Sequence, residues 1–277
     1  MTSSMVYWAD LLYREPVAEA ALEAAAQLSA DELPEIGLRW AVDAEDDEAA
    51  FIGRLADRIG FEELASSDPA LEPPAEPPPQ EFEAAGVATF EVLPIPWVLK
   101  RPLMKIFLRD VHHYLFDAEF TPRPGETYKI RTEIRRRAID ALREGDAAGG
   151  KHIVMSHSLG TVIAYDCLKR VAASPAVDGL LTIGSPLGLS EVQDQLKPEW
   201  SRDDGYPDKL QGPWVNVYDR LDPVAGFDPD LAKEYQRNGT HAVEDVHEPN
   251  EGSWRHSIVK YLRGVKLRER LGGMLGL

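Results

Sequence analysis

The spacing of apolar residues changes character near residue 150. Downstream, short apolar runs at His152-Ile153-Val154-Met155, Leu180-Leu181-Thr182-Ile183-Gly184 and Trp214-Val215-Asn216-Val217-Tyr218 predict buried strands at 151–156, 180–184 and 214–218. A further strand is predicted near 241–247. Helical patterns separate and follow these runs, over 159–173 and from about 254 to 271. Apolar strands that alternate with helices predict an α/β fold with a mostly parallel sheet, flanked by helices on both faces.

Upstream the pattern is mainly helical. Ile130, Ile134, Ile139 and Leu142 recur on one face of a predicted helix over 124–144, and Arg131, Arg135, Arg136 and Arg137 lie beside them as a solvated basic face. The run from Gly145 to Gly150 ends it. Residues 16–29 are rich in Ala, Glu and Leu and predict a helix, with Pro16 in its first turn. A second helix is predicted over about 44–60, starting in the acidic cluster Asp43 to Glu48, which suits a helix N-terminus. The segment Met5 to Tyr13 is apolar and partly aromatic and reads as a buried strand running into a loop.

Two segments interrupt this picture. Residues 66–85 hold Pro69, Pro73-Pro74 and Pro77-Pro78-Pro79 and read as a linker or surface loop with polyproline character. Residues 86–123 contain a helical insertion with a large apolar face, open to two readings: a lid over a pocket, or ordinary core. The chain thus divides into an N-terminal strand and helices (1–65), the Pro-rich stretch (66–85), the candidate lid (86–123) and an α/β core (124–277), forming one composite domain.

Composition narrows the function classes. The 277 residues are 44% hydrophobic and 28% charged, as in a soluble globular protein. A net charge of −17 argues against general electrostatic binding to nucleic acid or anionic membrane. No apolar run approaches the roughly 18 residues of a membrane span, and no signal peptide is visible, so the expected location is cytoplasmic. The single cysteine, Cys167, excludes an internal disulfide and reads as a small core residue within the helix after residue 158. His112-His113 has no metal-ligand spacing around it, so no metal and no cofactor are expected.

The candidate chemistry lies in Ser156-His157-Ser158-Leu159-Gly160. A strand, a tight turn with a central serine and a helix make up a nucleophile elbow, here S-x-S-x-G instead of G-x-S-x-G. Small residues two before and two after the serine let strand and helix approach closely. A serine hydroxyl needs a neighbouring base, and the base needs an acid to orient it. Asp219 and Asp222 follow the strand 214–218, at the sheet edge where the elbow also lies. Asp222 is the expected acid, being further into the loop and followed by Pro223; Asp219 is expected to cap or hold the loop. His256 is the expected base, on a loop just before the last helix. His247 is the runner-up and His241 the weakest candidate. His157 is expected to pack behind the nucleophile. The Leu159 N–H is one expected oxyanion donor; no His-Gly dipeptide occurs to supply the usual second one.

The segments S-H-S-L-G-T-V-I-A-Y-D-C-L (156–168), T-I-G-S-P-L-G (182–188) and W-V-N-V-Y-D-R-L-D-P-V (214–224), with Arg255-His256-Ser257, together resemble the α/β-hydrolase superfamily, most of all bacterial serine hydrolases of the lipase/esterase kind. The resemblance covers about residues 150–265. It implies Ser158 as nucleophile, Asp222 as acid and His256 as base, acting on a small-molecule ester or acyl substrate. Family members carry an opening strand and an H-G oxyanion loop before anything like Val6-Tyr7-Trp8-Ala9-Asp10. The resemblance therefore implies a chain N-terminally shortened, or with its early elements replaced. Three functions follow as expectations: a carboxylic ester hydrolase working through an acyl-enzyme, a non-catalytic binding module on the same fold, or an acyltransferase using the same triad.

Overall fold

The computed structural model describes residues 2–14, 46–58, 107–251 and 254–277. Its centre is a four-stranded parallel sheet of β3 (Ile153–His157), β4 (Gly179–Ile183), β5 (Trp214–Tyr218) and β6 (Val243–His247), in that spatial order. The register runs Ser156 opposite Thr182, Thr182 opposite Asn216 and Asn216 opposite Asp245. All four strands therefore end at one edge. The connections between them carry the helices α4 (Leu159–Arg170), α5 (Ser190–Gln195) and α6 (Leu231–Glu234), and α7 (Ile258–Arg263) and α8 (Val265–Leu275) follow β6. This is the α/β arrangement with a parallel sheet that the apolar runs predict.

The two faces of the sheet are covered differently. Leu180 and Trp214 point into a core shared with α4, with α3 (Ile130–Ala148), and with α2 (residues 107–115). Leu181, Ile183, Val215 and Val217 point the other way, onto Tyr261 of α7 and Leu267 and Met274 of α8. Every residue of β4 and β5 is buried. Burying one such Leu, Ile or Val fully contributes about 1.5–3 kcal/mol, which is why these strands read as continuous apolar runs and not as alternating ones. Thr182 and Asn216 are the polar exceptions, and they satisfy each other: the Thr182 hydroxyl donates to Asn216 Oδ1 at 3.1 Å, and the Trp214 indole N–H donates to Thr182 at 3.0 Å. Among the described strands β3 is an edge, and its Met155 is 45% exposed.

Several expectations are corrected. Residues 5–13 form no strand; they hold a 3₁₀ turn at Ala9–Leu11, closed by local bonds such as Leu11 N–H to the Trp8 carbonyl at 3.0 Å. Consecutive Leu11 and Leu12 are both buried, a pattern that a turn meets and a two-faced strand does not. The helix expected over 124–144 begins at Ile130. Before it stands a hairpin of β1 (Glu119–Arg123) and β2 (Glu126–Lys129), because Pro122, Pro124 and Gly125 favour a turn over a helix start. The terminal helix is broken at Gly264. A side chain there would lie 2.5 Å from the Glu248 carboxylate, which itself accepts from Leu267 N–H at 3.0 Å and caps α8.

The arginines of α3 are not a solvated face. Arg135 grips the buried Asp166 of α4 with two hydrogen bonds, of 2.5 and 2.6 Å; Arg137 pairs with Asp10 and Arg131 donates to the Leu115 carbonyl. Arg136 alone of the four lies well exposed. The buried carboxylate on α4 demands a counter-charge, and α3 supplies it. Residues 107–115, the described helical part of the candidate lid, lie in the core: Leu108, Val111 and Tyr114 are buried, and the Tyr114 hydroxyl donates to Asp166 at 2.7 Å. Residues 119–123 are strand. Residues 86–106 of the candidate lid, the helix over 16–29 and the Pro-rich stretch lie outside the described residues; the helix expected over about 44–60 is present as α1 (Asp46–Arg58). Cys167 is buried in the core, where burial pushes its thiol up to about 12.

Candidate active site

Three strand ends converge on one place. Ser158 follows β3 directly, with φ +55° and ψ −131°. A non-glycine residue rarely adopts that backbone, and its neighbours hold it there. Ser158 N–H donates to the Ile183 carbonyl at 3.0 Å. The Thr161 hydroxyl donates to the Ser158 carbonyl at 2.7 Å, and Thr161 in turn lies 2.8 Å from the Ser185 hydroxyl. The turn is thus tied to the end of β4 and to the first turn of α4. Leu159 opens α4, so its N–H belongs to the four that a helix start leaves without a helical acceptor.

Asp222 lies four residues beyond β5, in a buried loop. Its Oδ1 accepts from Val224 N–H at 2.7 Å and Ala225 N–H at 3.2 Å, an Asx turn that sets the carboxylate's direction. His256 lies between β6 and α7, just before Ser257, whose hydroxyl caps that helix. The His256 Nδ1 is 2.9 Å from both Asp222 oxygens, and its Nε2 is 2.7 Å from Ser158 Oγ. Ser158, Asp222 and His256, 98 residues apart at the extremes, thus form one hydrogen-bonded row. Burial alone would raise the Asp222 pKa; the charge and hydrogen bond of His256, the Val224 N–H and the Tyr261 hydroxyl outweigh it and hold the carboxyl below its ordinary value. Asp222 is therefore ionised, Nδ1 carries a proton toward it, and Nε2 is left to accept from the serine hydroxyl.

The other candidates stand elsewhere. Asp219 is buried and holds the loop: its oxygens accept from Leu221 N–H at 2.9 Å, Asn250 N–H at 2.8 Å and Arg255 Nη1 at 3.3 Å. His247 ends β6 opposite Tyr218, with the two rings 5.5 Å apart, and does not join the row. His241 is exposed on the loop before β6. His157 packs behind the base more than behind the serine. Its ring lies 4.6 Å from that of His256 and its Nε2 donates to the His256 carbonyl at 2.9 Å. Burial, then the neighbouring His256, hold its pKa down at about 3, so it is neutral.

Two residues escaped the sequence reading. Gly184, at the end of β4, has φ +55°, and a side chain there would sit 3.0 Å from Asp222 Oδ2 and 3.2 Å from the His256 ring. It is the floor on which acid and base meet, and its only signal was a glycine directly after an apolar run. Tyr261 is fully buried on α7, and its hydroxyl donates to Asp222 Oδ2 at 2.7 Å. Nothing in its spacing distinguished it from a packing tyrosine. Gly160 is the reverse case: a side chain there would lie 3.9 Å from Ser156 Cβ, ordinary contact distance.

Among the described residues no cluster of His, Cys, Asp or Glu is arranged to hold a metal ion, and no helix is long and apolar enough to cross a membrane. His112 and His113 are buried in the core, with His112 Nε2 3.1 Å from Glu48. Compared with protein-family models, with curated proteins and with solved structures, the chain matches none.

Proposed function

We propose that this chain is a serine hydrolase of the α/β-hydrolase kind that cleaves carboxylic esters. The observation that carries this reading is the row Ser158 Oγ, His256 Nε2, His256 Nδ1, Asp222, with links of 2.7 and 2.9 Å. Ser158 Oγ attacks the ester carbonyl while His256 Nε2 takes its proton. Asp222 holds the imidazole in the tautomer this requires and stabilises the imidazolium that forms. The tetrahedral oxyanion is met by the Leu159 N–H, assisted by the N-terminus of α4. His256 then returns the proton to the departing alcohol, leaving an acyl-serine. Water enters, His256 takes its proton, and the acid product leaves as Ser158 is restored.

A fluorophosphonate probe tests it. The wild type is expected to label on Ser158 and to hydrolyse p-nitrophenyl esters, and Ser158→Ala to do neither. A wild type that fails to label, or a Ser158→Ala variant that labels equally, refutes it. One observation favours a second reading, a non-catalytic module on the same fold: the sequence lacks the His-Gly dipeptide that would supply a further oxyanion donor. That reading predicts a folded protein with no hydrolysis across a panel of short to long acyl esters.

A further inference from the structure

Asp222 is held from two sides by different means. On Oδ1 two backbone N–H groups grip it, those of Val224 and Ala225. On Oδ2 the partner besides His256 is the Tyr261 hydroxyl, at 2.7 Å. Tyr261 belongs to α7, not to the loop that carries Asp222. Its phenol oxygen also accepts from the Asp219 N–H at 2.9 Å, the first residue after β5. A phenol has one proton. With the Asp219 N–H filling a lone pair, that proton is committed to Asp222. Burial, then the Asp222 charge, drive the Tyr261 pKa far above its ordinary value, so the hydroxyl stays a donor at every working pH.

The geometry assigns Tyr261 as a positioning residue for the Asp222–His256 pair: by fixing Oδ2 it keeps the carboxylate square to His256 Nδ1. This rests on the proposed hydrolase reading for its catalytic consequence, though not for its structural one. The alternative, that Tyr261 merely fills space, leaves the committed proton without a role. As packing, the ring contributes to the cluster of Leu181, Ile183, Val215 and Val217, and a phenylalanine supplies the same bulk. The hydroxyl alone separates the two cases. A fixed Oδ2 also keeps both carboxylate oxygens within 2.9 Å of Nδ1; without the Tyr261 hydroxyl, the Asx turn still anchors Oδ1, while Oδ2 keeps only its contact with His256 Nδ1 among the hydrogen bonds described.

The test is Tyr261→Phe, read in two independent ways. The low-field proton resonance of His256 Nδ1–H, assigned by its loss in Asp222→Ala, is expected to be sharp in the wild type and broadened or lost in Tyr261→Phe. In ester hydrolysis kcat is expected to fall about tenfold with KM unchanged, the size of one lost hydrogen bond to a charged group. A folded Tyr261→Phe protein with an unchanged resonance and kcat within twofold overturns the assignment. Should that variant not fold, 3-fluorotyrosine at position 261 keeps bulk and hydroxyl while making the phenol more acidic. A shifted His256 resonance then supports the assignment and an unshifted one overturns it. If the wild type neither labels nor hydrolyses any ester, the hydrolase reading fails, while the resonance still decides the role of Tyr261.

Discussion

Two buried carboxylates invite comparison. Asp166 on α4 and Asp222 in the loop after β5 are both inaccessible to water and both accept a tyrosine hydroxyl at 2.7 Å. Their other partners differ. Asp166 is met by Arg135 and Arg170, cations that never lose their charge. Asp222 is met by two backbone N–H groups and by the imidazole of His256, whose other ring nitrogen faces Ser158 Oγ. One region has its ionic state fixed and serves to bind helices together. The other ties one partner onward to Ser158, the contact on which the proposed chemistry rests. Burial of an acid does not by itself mark a candidate site; what its partners touch next does.

The largest expected effect breaks the second region. Asp222→Asn removes the charge and the tautomer preference, and ester hydrolysis should fall about 10³–10⁴-fold while the protein stays folded, measured by kcat/KM and thermal melting. Asp166→Ala should do the converse. It leaves Arg135 and Arg170 beside an empty core position and should cost about 3 kcal/mol in urea unfolding, with residual folded protein still labelled by fluorophosphonate. If Asp166→Ala instead abolishes labelling of folded protein, the two regions are not separable.

Gly184→Ala should cost about 1–2 kcal/mol from its positive φ alone, and should lower kcat further by displacing Asp222 and His256. Comparable loss of stability with unchanged kcat would show that the floor of the site yields. Acid sharpens the comparison from a third direction. Burial first, then the neighbouring His256 for His157 and His112 and Arg109 for His113, hold both histidines at about 3, below the ordinary 6.5. Between those values the unfolded chain binds protons that the native chain refuses. Stability from these groups is thus complete above about pH 6.5 and is lost as pH falls toward 3, by about 1.4 kcal/mol per pH unit for each fully neutral histidine. The urea midpoint should decline from pH 6.5 to 4.5, and less steeply in His113→Gln. The smallest effect belongs to Gly160→Ala, expected within about 1 kcal/mol and twofold in kcat, since the added carbon meets ordinary contact distance.

The sheet and the row Ser158, Asp222, His256 were legible because they lie in local patterns: apolar runs, a serine between small residues, an acid just past a strand, a histidine just before a helix. What was illegible depends on partners far away in the chain. The hairpin 119–129 escaped because its strands are only five and four residues long and pair with each other alone, although Pro122, Pro124 and Gly125 mark its turn. Arg135 looked solvated until Asp166, 31 residues on, claimed it. Tyr261 looked like packing because its hydroxyl's partner is 39 residues earlier. Gly184 needed the tertiary arrangement before its missing side chain meant anything.

The convergence of strand ends has one more consequence. Serine, acid and base each sit behind a different strand, so no fragment holding fewer than β3, β5 and β6 in register can bring them within hydrogen-bonding distance. Under the proposed function, labelling of Ser158 then acts as a gauge of the whole sheet. In rising urea, the loss of fluorophosphonate labelling should trace the same curve as the loss of the sheet's circular dichroism, with no partly unfolded form able to react.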